Sequence, residues 1–217
     1  MRIKHLLVCT LTLVSYPAFA AVLLTQEWNG PGLPGGGWSF NAPPVIDCAV
    51  PASPSGGCAL RMTYPAGTYS TSFGGGRGEY SGISGTPADL YMGMWHKYSS
   101  NFVPHPNGWK AEFFILSGAN PGCRNVSLGY AGLNMGFTPQ ICWTPNKNYF
   151  TNRNTWDFNA HRNEWHWYEK RIRLGTPGAC DDLVQVWIDD VLYIDHANVC
   201  FRGPGDTAGF GSVQHTA

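Results

Sequence analysis

Period-two alternation of hydrophobic and polar residues dominates the C-terminal third of this chain and predicts strands rather than helices. From 163 to 174, Trp165, Trp167, Glu169, Arg171 and Arg173 share one face, and His166, Tyr168, Lys170, Ile172 and Leu174 share the other. Neither face is purely apolar. Further on, Val184, Val186 and Ile188 alternate with Gln185, Trp187 and Asp189, the pattern of a half-buried strand with one core face. Asp189-Asp190 stands where a two-residue turn would reverse the chain into Leu192, Tyr193 and Ile194, although Asp-Gly is the stronger turn pair.

Similar alternation runs through 89 to 102, where Met92, Met94, His96 and Tyr98 oppose Tyr91, Gly93, Trp95 and Lys97, with the methionine side expected inward. A turn at Pro104-His105-Pro106-Asn107-Gly108 leads into 109 to 116, where Lys110, Glu112 and Phe114 alternate with Trp109, Ala111, Phe113 and Ile115. Shorter strands are expected at 22–28, 59–64 and 68–73, with two more inside 125–143. The Gly/Pro-rich stretch 30–57 and the polar, aromatic stretch 145–162 are expected as loops, the second placed to cover a cleft. Gly74 to Gly78 lacks the G-x-x-x-x-G-K-[ST] pattern and no helix signal follows, so a mobile loop is expected rather than a phosphate cradle.

Composition agrees with an all-β domain: 27 Gly, 16 Pro and 14% aromatic residues against only 13% charged. The N-terminus joins a basic start, the apolar run Leu6 to Val14 and the small-residue site Ala18-Phe19-Ala20, the three parts of a secretory signal, with cleavage expected after Ala20. That apolar run is shorter than the roughly 20 residues a spanning helix needs, so no membrane association is expected after signal removal. Domain limits are accordingly 1–20 for the signal and 21–217 for one β-domain, placed outside the cell or in the periplasm. Of seven cysteines, Cys48, Cys58, Cys123, Cys142, Cys180 and Cys200 lie beyond the signal, and an even number in an exported chain predicts disulfides. Pairing of sequence neighbours (48 with 58, 123 with 142, 180 with 200) is the simplest of the connectivities that remain open.

Loss of Arg2 and Lys4 with the signal leaves 12 basic against 14 acidic residues, a net charge of −2. Neither a basic patch nor a recognition motif is visible, so no nucleic-acid partner is expected. No H-E-x-x-H is present and His161 and His166 are five apart, so no catalytic zinc or other cofactor is expected; no acidic loop has calcium-ligand spacing, and a metal ion bracing the sandwich is left open. A serine hydrolase is disfavoured by the lack of G-x-S-x-G, and Asn125-Val126-Ser127 is assigned no role.

Three segments, LYMGMWHKYSSNFVPHPNGWKAEFFILSG at 90–118, EWHWYEKRIRLGTPG at 164–178 and LVQVWIDDVLYIDHANVCFRG at 183–203, resemble the concanavalin A-like lectin and glucanase superfamily, specifically its jelly-roll polysaccharide lyases. The resemblance implies an antiparallel β-sandwich of jelly-roll type with a polysaccharide groove on one sheet. It departs from the family pattern in two ways. The chain ends at Gly211 to Ala217, where relatives continue into a last strand, leaving open a sandwich that lacks that strand and exposes an edge. Gly175 and Asp190 stand where relatives often have Asn and Gly. The R-x-E-L-R and Q-I-H lyase motifs are absent, although Arg77-Gly78-Glu79 echoes the first.

Two functions follow from these residues. An eliminative lyase needs a cation for the uronate carboxylate, a base for the adjacent proton and an acid for the leaving oxygen. Lys110, Glu169, Arg171, His161 and Tyr168 are the catalytic candidates, with Arg77, Arg173, His166 and Tyr130 as further charge or proton-transfer groups. A glycoside hydrolase needs two carboxylates flanking the bond, for which Glu112, Glu169 and Asp189 are isolated candidates, and salt bridges to Lys110 or Arg171 are their simpler role. The alternative is a non-catalytic, lectin-like module. There Trp95, Trp109, Trp165, Trp167 and Trp187 would stack on sugar rings while Arg77, Glu112 and Asp189 bond hydroxyls. About half of the nine tryptophans are expected in the core.

Overall fold

The protein is seen in a computed structural model that describes residues 14–15, 21–22, 38–40, 45–49, 54, 58–61, 77–81, 83–102, 109–116, 125–131, 134–140 and 149–216. All regular structure among them is β. The strands are β1 (Val14–Ser15), β2 (Ala21–Val22), β3 (Trp38–Phe40), β4 (Val45–Asp47), β5 (Ala59–Arg61), β6 (Arg77–Tyr80), β7 (Asp89–His96) and β8 (Trp109–Leu116). They continue as β9 (Asn125–Ala131), β10 (Asn134–Gln140), β11 (Tyr149–Phe150), β12 (His166–Arg173), β13 (Asp182–Ile188), β14 (Val191–Val199) and β15 (Phe210–Thr216). One sheet has the order β14-β13-β12-β7-β1-β2, a second β11-β10-β9-β8-β15-β6-β3, and β4 pairs with β5 as a small ribbon.

The sandwich core is built where the apolar rows of the two large sheets face each other. Leu90, Met92 and Met94 of β7, Ile172 of β12, Val184, Val186 and Ile188 of β13 and Ile194 of β14 meet Tyr80, Phe114, Val126, Met135, Phe210 and Val213 of the second sheet. The methionine side of β7 is therefore inward, as its pattern predicts. On β12 the inward row is His166, Tyr168, Lys170 and Ile172, all under 9% exposed. Lys170 is 2% exposed, with its Nζ 5.4 Å from the Tyr168 ring. Among the tryptophans whose burial is described, Trp156 is buried and Trp38, Trp95, Trp165, Trp167 and Trp187 are half-buried.

The turn between β13 and β14 forms at Asp189-Asp190, both with positive φ (49° and 67°), as a mirror-image turn of the twist-matching kind requires. Aspartate tolerates this left-handed region better than most side chains, so the turn forms without glycine. Gly175 has its own local reason. A Cβ there would overlap the Asp181 carboxylate, which accepts the Thr176 N–H at 2.7 Å and the Thr176 hydroxyl at 2.9 Å.

The C-terminal segment departs from expectation. Phe210–Thr216 is itself a strand, hydrogen-bonded to β8 on one side and β6 on the other, so no open edge forms at these residues. Val14–Ser15, inside the expected signal, pairs with Val22 and Ala21 and touches β7 at Tyr91. Disulfides join Cys48 to Cys58 and Cys180 to Cys200 as the simplest pairing predicts, while Cys123 and Cys142 lie outside the described residues. The expected strand at 68–73, and that at 22–28 beyond Val22, also fall outside them.

Candidate functional site

The residues singled out from sequence fall on three separate surfaces. The outward face of the six-stranded sheet collects Trp95, Trp167, Glu169, Arg171 and Trp187. Register sets Trp167 beside Trp95, Glu169 between Gly93 and Trp187, and Arg171 between Tyr91 and Gln185. The Trp95 and Trp167 rings lie 5.6 Å apart at 54°. Trp167 reaches across β7 over Gly93, where any Cβ would overlap its indole. Arg171 is already engaged: it donates to both Asp89 oxygens at 3.2 and 2.8 Å and sits 4.9 Å from the Tyr91 ring centre. Its charge is answered within the protein, which weakens its expected role as a uronate clamp.

A second surface lies at the end of that sheet. His161, in the turn before β12, stacks on buried Trp156 with ring centres 4.2 Å apart. Tyr168 is 4% exposed and faces the core, stacked on His96 at 4.9 Å, so it does not line an open groove. Asp189 accepts from the Trp167 N–H at 2.9 Å and lies 2.6 Å from His166 Nδ1. Glu164 Oε2 sits 3.6 Å from His161 Nδ1 and 3.5 Å from His166 Nε2. Sequence spacing did not flag this trio, because H-E-x-x-H is a rule for ligands one helical turn apart, whereas a turn running into a strand assembles these.

Polar contacts tie the 149–154 segment to β14. Asn152 donates to the Asp195 carbonyl at 2.8 Å and accepts its N–H at 2.8 Å, and Arg153 reaches the Asp195 carboxylate at 2.5 Å. The hydrogen bond from Arg153 holds the Asp195 carboxyl below the usual range despite partial burial. Asp182 shows the opposite balance: burial raises its carboxyl above the usual range, although it accepts the Gly175 and Phe201 N–H groups, both at 2.5 Å. Burial first, and then the Asp189 charge, raise the Tyr193 hydroxyl.

The third surface belongs to the seven-stranded sheet. Lys110 and Glu112 stand on β8 on either side of a register shift, so they are not in the sheet that carries Glu169 and Arg171. One groove lined by Lys110, Glu169 and Arg171 is therefore not formed. Instead β15 runs between β6 and β8, setting Gln214 opposite Glu79 and Phe113, and Thr216 opposite Arg77. Lys110 pairs with Gly129, and Glu112 with His215 and Leu128. Val213 is buried in the core, yet its neighbours Ser212 and Gln214, which alternation turns to the other side, are each only 7% exposed. Alternating polar residues in Ser212-Val213-Gln214-His215-Thr216 were the signal that sequence reading passed over.

No family model matches the chain, and no curated protein matches it. Among solved structures, an endo-β-1,4-glucuronan lyase from the fungus Trichoderma reesei superposes with TM-score 0.56 and 14% identity over 80% of this chain and 74% of that one. The alginate lyase Aly36B gives TM-score 0.42 and 13% identity over 65% of this chain and 64% of that one. The binding domain of botulinum neurotoxin DC gives 0.49 and 10% identity, covering 96% of this chain and 43% of that one. Similarity at such identity is a similarity of fold: a β-sandwich of jelly-roll type.

Proposed function

We propose that the protein is exported and cleaves a uronate-containing polysaccharide by elimination, using the seven-stranded sheet where β6, β15 and β8 adjoin. The supporting observation is that β15 sets Gln214, only 7% exposed and turned away from the core, opposite Glu79 and two register positions from the Thr216–Arg77 pair. Arg77, Lys110 and the Gln214 amide would draw charge from the uronate carboxylate, lowering the cost of removing the adjacent proton. Glu79 supplies a proton acceptor in the same rows. As Glu79 takes the proton, the C–H electrons form the new double bond, the glycosidic C–O bond breaks with its electron pair on the leaving oxygen, and that oxygen takes the proton back from Glu79. The glucuronan and alginate lyases with similar folds carry names consistent with this substrate class. Two disulfides suit an oxidising compartment, in keeping with a signal at 1–20, whose removal would take β1 from the edge of β7.

A lectin-like module is the second reading, favoured by the row of half-buried Trp95, Trp167 and Trp187 on the six-stranded sheet. Incubating the purified protein with glucuronan and with alginate, while recording the ultraviolet absorbance of a double bond conjugated to a carboxylate, separates the two. A rise that Lys110→Ala and Gln214→Ala abolish supports the lyase. Retention on a glycan gel with no rise from either polymer would discard the lyase in favour of the module, and neither response would remove both.

A further inference from the structure

We propose that His161, Glu164 and His166 form a binding site for a divalent transition-metal ion, zinc by the character of the donors. His161 Nδ1, Glu164 Oε2 and His166 Nε2 all lie within 4.8 Å of one another. The two nitrogen-to-oxygen distances, 3.6 and 3.5 Å, are close to the edge of a tetrahedron about 3.3 Å long that zinc with bonds near 2.0–2.1 Å imposes on its ligands. Small shifts of the Glu164 side chain, which is 60% exposed, and of the His161 ring, which is 38% exposed, would draw the three donors together.

Three further observations point to a ligand. His166 is 8% exposed, and both its Nε2 and the Nδ1 of His161 are buried without a hydrogen-bond partner, a costly state for ring nitrogens that a metal bond relieves. On the far side of His166, Nδ1 lies 2.6 Å from Asp189, the carboxylate–histidine pairing that fixes the tautomer and leaves the Nε2 lone pair pointing at the site. Asp189 is itself held by the Trp167 N–H and by the mirror-image turn.

The backbone is also prepared. Asn163, with φ of 67°, donates its N–H to Tyr98 at 2.7 Å, Arg162 binds the Phe102 carbonyl at 2.8 Å, and the Asp157 carboxylate accepts the Asn159 N–H at 2.9 Å. His161 is kept in place by its stack on Trp156. Two imidazoles and one carboxylate suit zinc better than magnesium or calcium, which prefer all-oxygen shells. With three protein donors, a fourth position remains for water or a ligand anion. The ion would clamp the turn before β12 to the start of that strand and, through Asp189, to the β13–β14 turn.

The test uses the full chain, freed of metal with a chelator and titrated with zinc by calorimetry, with cobalt as a spectroscopic probe. One zinc per chain, a higher melting temperature with zinc, and cobalt absorption typical of four or five ligands are expected. Asp189→Asn should weaken zinc about 10- to 100-fold by loosening His166. Because replacing buried His166 endangers folding, Glu164→Gln on an exposed side chain carries the decision, with circular dichroism as control, and should weaken zinc at least tenfold. Absence of zinc binding at micromolar concentration, or binding that Glu164→Gln and His161→Ala leave unchanged, overturns the site.

Discussion

The two large sheets are assembled in different ways. On the six-stranded sheet β12, β13 and β14 follow one another in the chain, and outward polar groups there have partners within the protein: Arg171 with Asp89 on the neighbouring β7, Gln185 with Asp195 on the neighbouring β14, and Arg153, from the segment before β12, with the same Asp195. In the seven-stranded sheet β15 inserts between β6 and β8, which sets Gln214 opposite Glu79 and Phe113, and Thr216 opposite Arg77, pairing segments far apart in the sequence. A charge on a strand face is thus poor evidence for a ligand clamp until its cross-strand partner is known.

The largest expected effect tests that contrast directly. Lys110→Ala or Arg77→Ala should slow polymer cleavage by about 100-fold or more, the range for removing one group that stabilises developing charge, while Glu169→Gln leaves the rate within about threefold. Equal losses from Glu169→Gln would move the chemistry back to the six-stranded sheet.

Next in size is the bridge across β13 and β14. Replacing Cys180 and Cys200 with serine opens a loop of sequence separation 20 and should cost about 3 kcal/mol in urea unfolding. An unchanged midpoint would mean that the hairpin needs no covalent support.

Gly93→Ala should cost about 1–3 kcal/mol, because the new methyl group pushes the Trp167 indole off β7. The near-ultraviolet circular dichroism of the Trp95–Trp167 pair would change with it. Retention of both stability and signal would show that this aromatic face is loosely packed.

The smallest effect is on the tether at Asp195. Its folded carboxyl titrates below the ordinary value of 3.8, chiefly through Arg153, so its stabilisation is present above that value and is lost as pH falls through the lowered one. Arg153 is 54% exposed, so solvent screening limits the loss from Asp195→Asn at neutral pH to less than about 1 kcal/mol. The variant should also flatten the acid limb of the stability curve, and an unaltered limb would assign acid sensitivity to other carboxyls.

Strand identity was largely legible along the chain. The alternation in 89–96 and 182–188 settles which residues enter the core, because a strand with one buried face has only one register that hides Met92 and Val186, whereas 166–173, with no purely apolar face, is legible as a strand but not in which side turns inward. The Asp189-Asp190 turn and two neighbouring cysteine pairs are likewise short-range facts. Which strands lie side by side was decided only in three dimensions: β15 joins β6 to β8 through hydrogen bonds that leave no periodic trace in any of the three sequences. The same holds for His161, Glu164 and His166, whose meeting depends on a left-handed backbone at Asn163 and on Asp189 arriving from another hairpin. Local pattern specifies what each segment can bury, but the contacts that make a site join segments whose separation in sequence carries no energy until the core has formed.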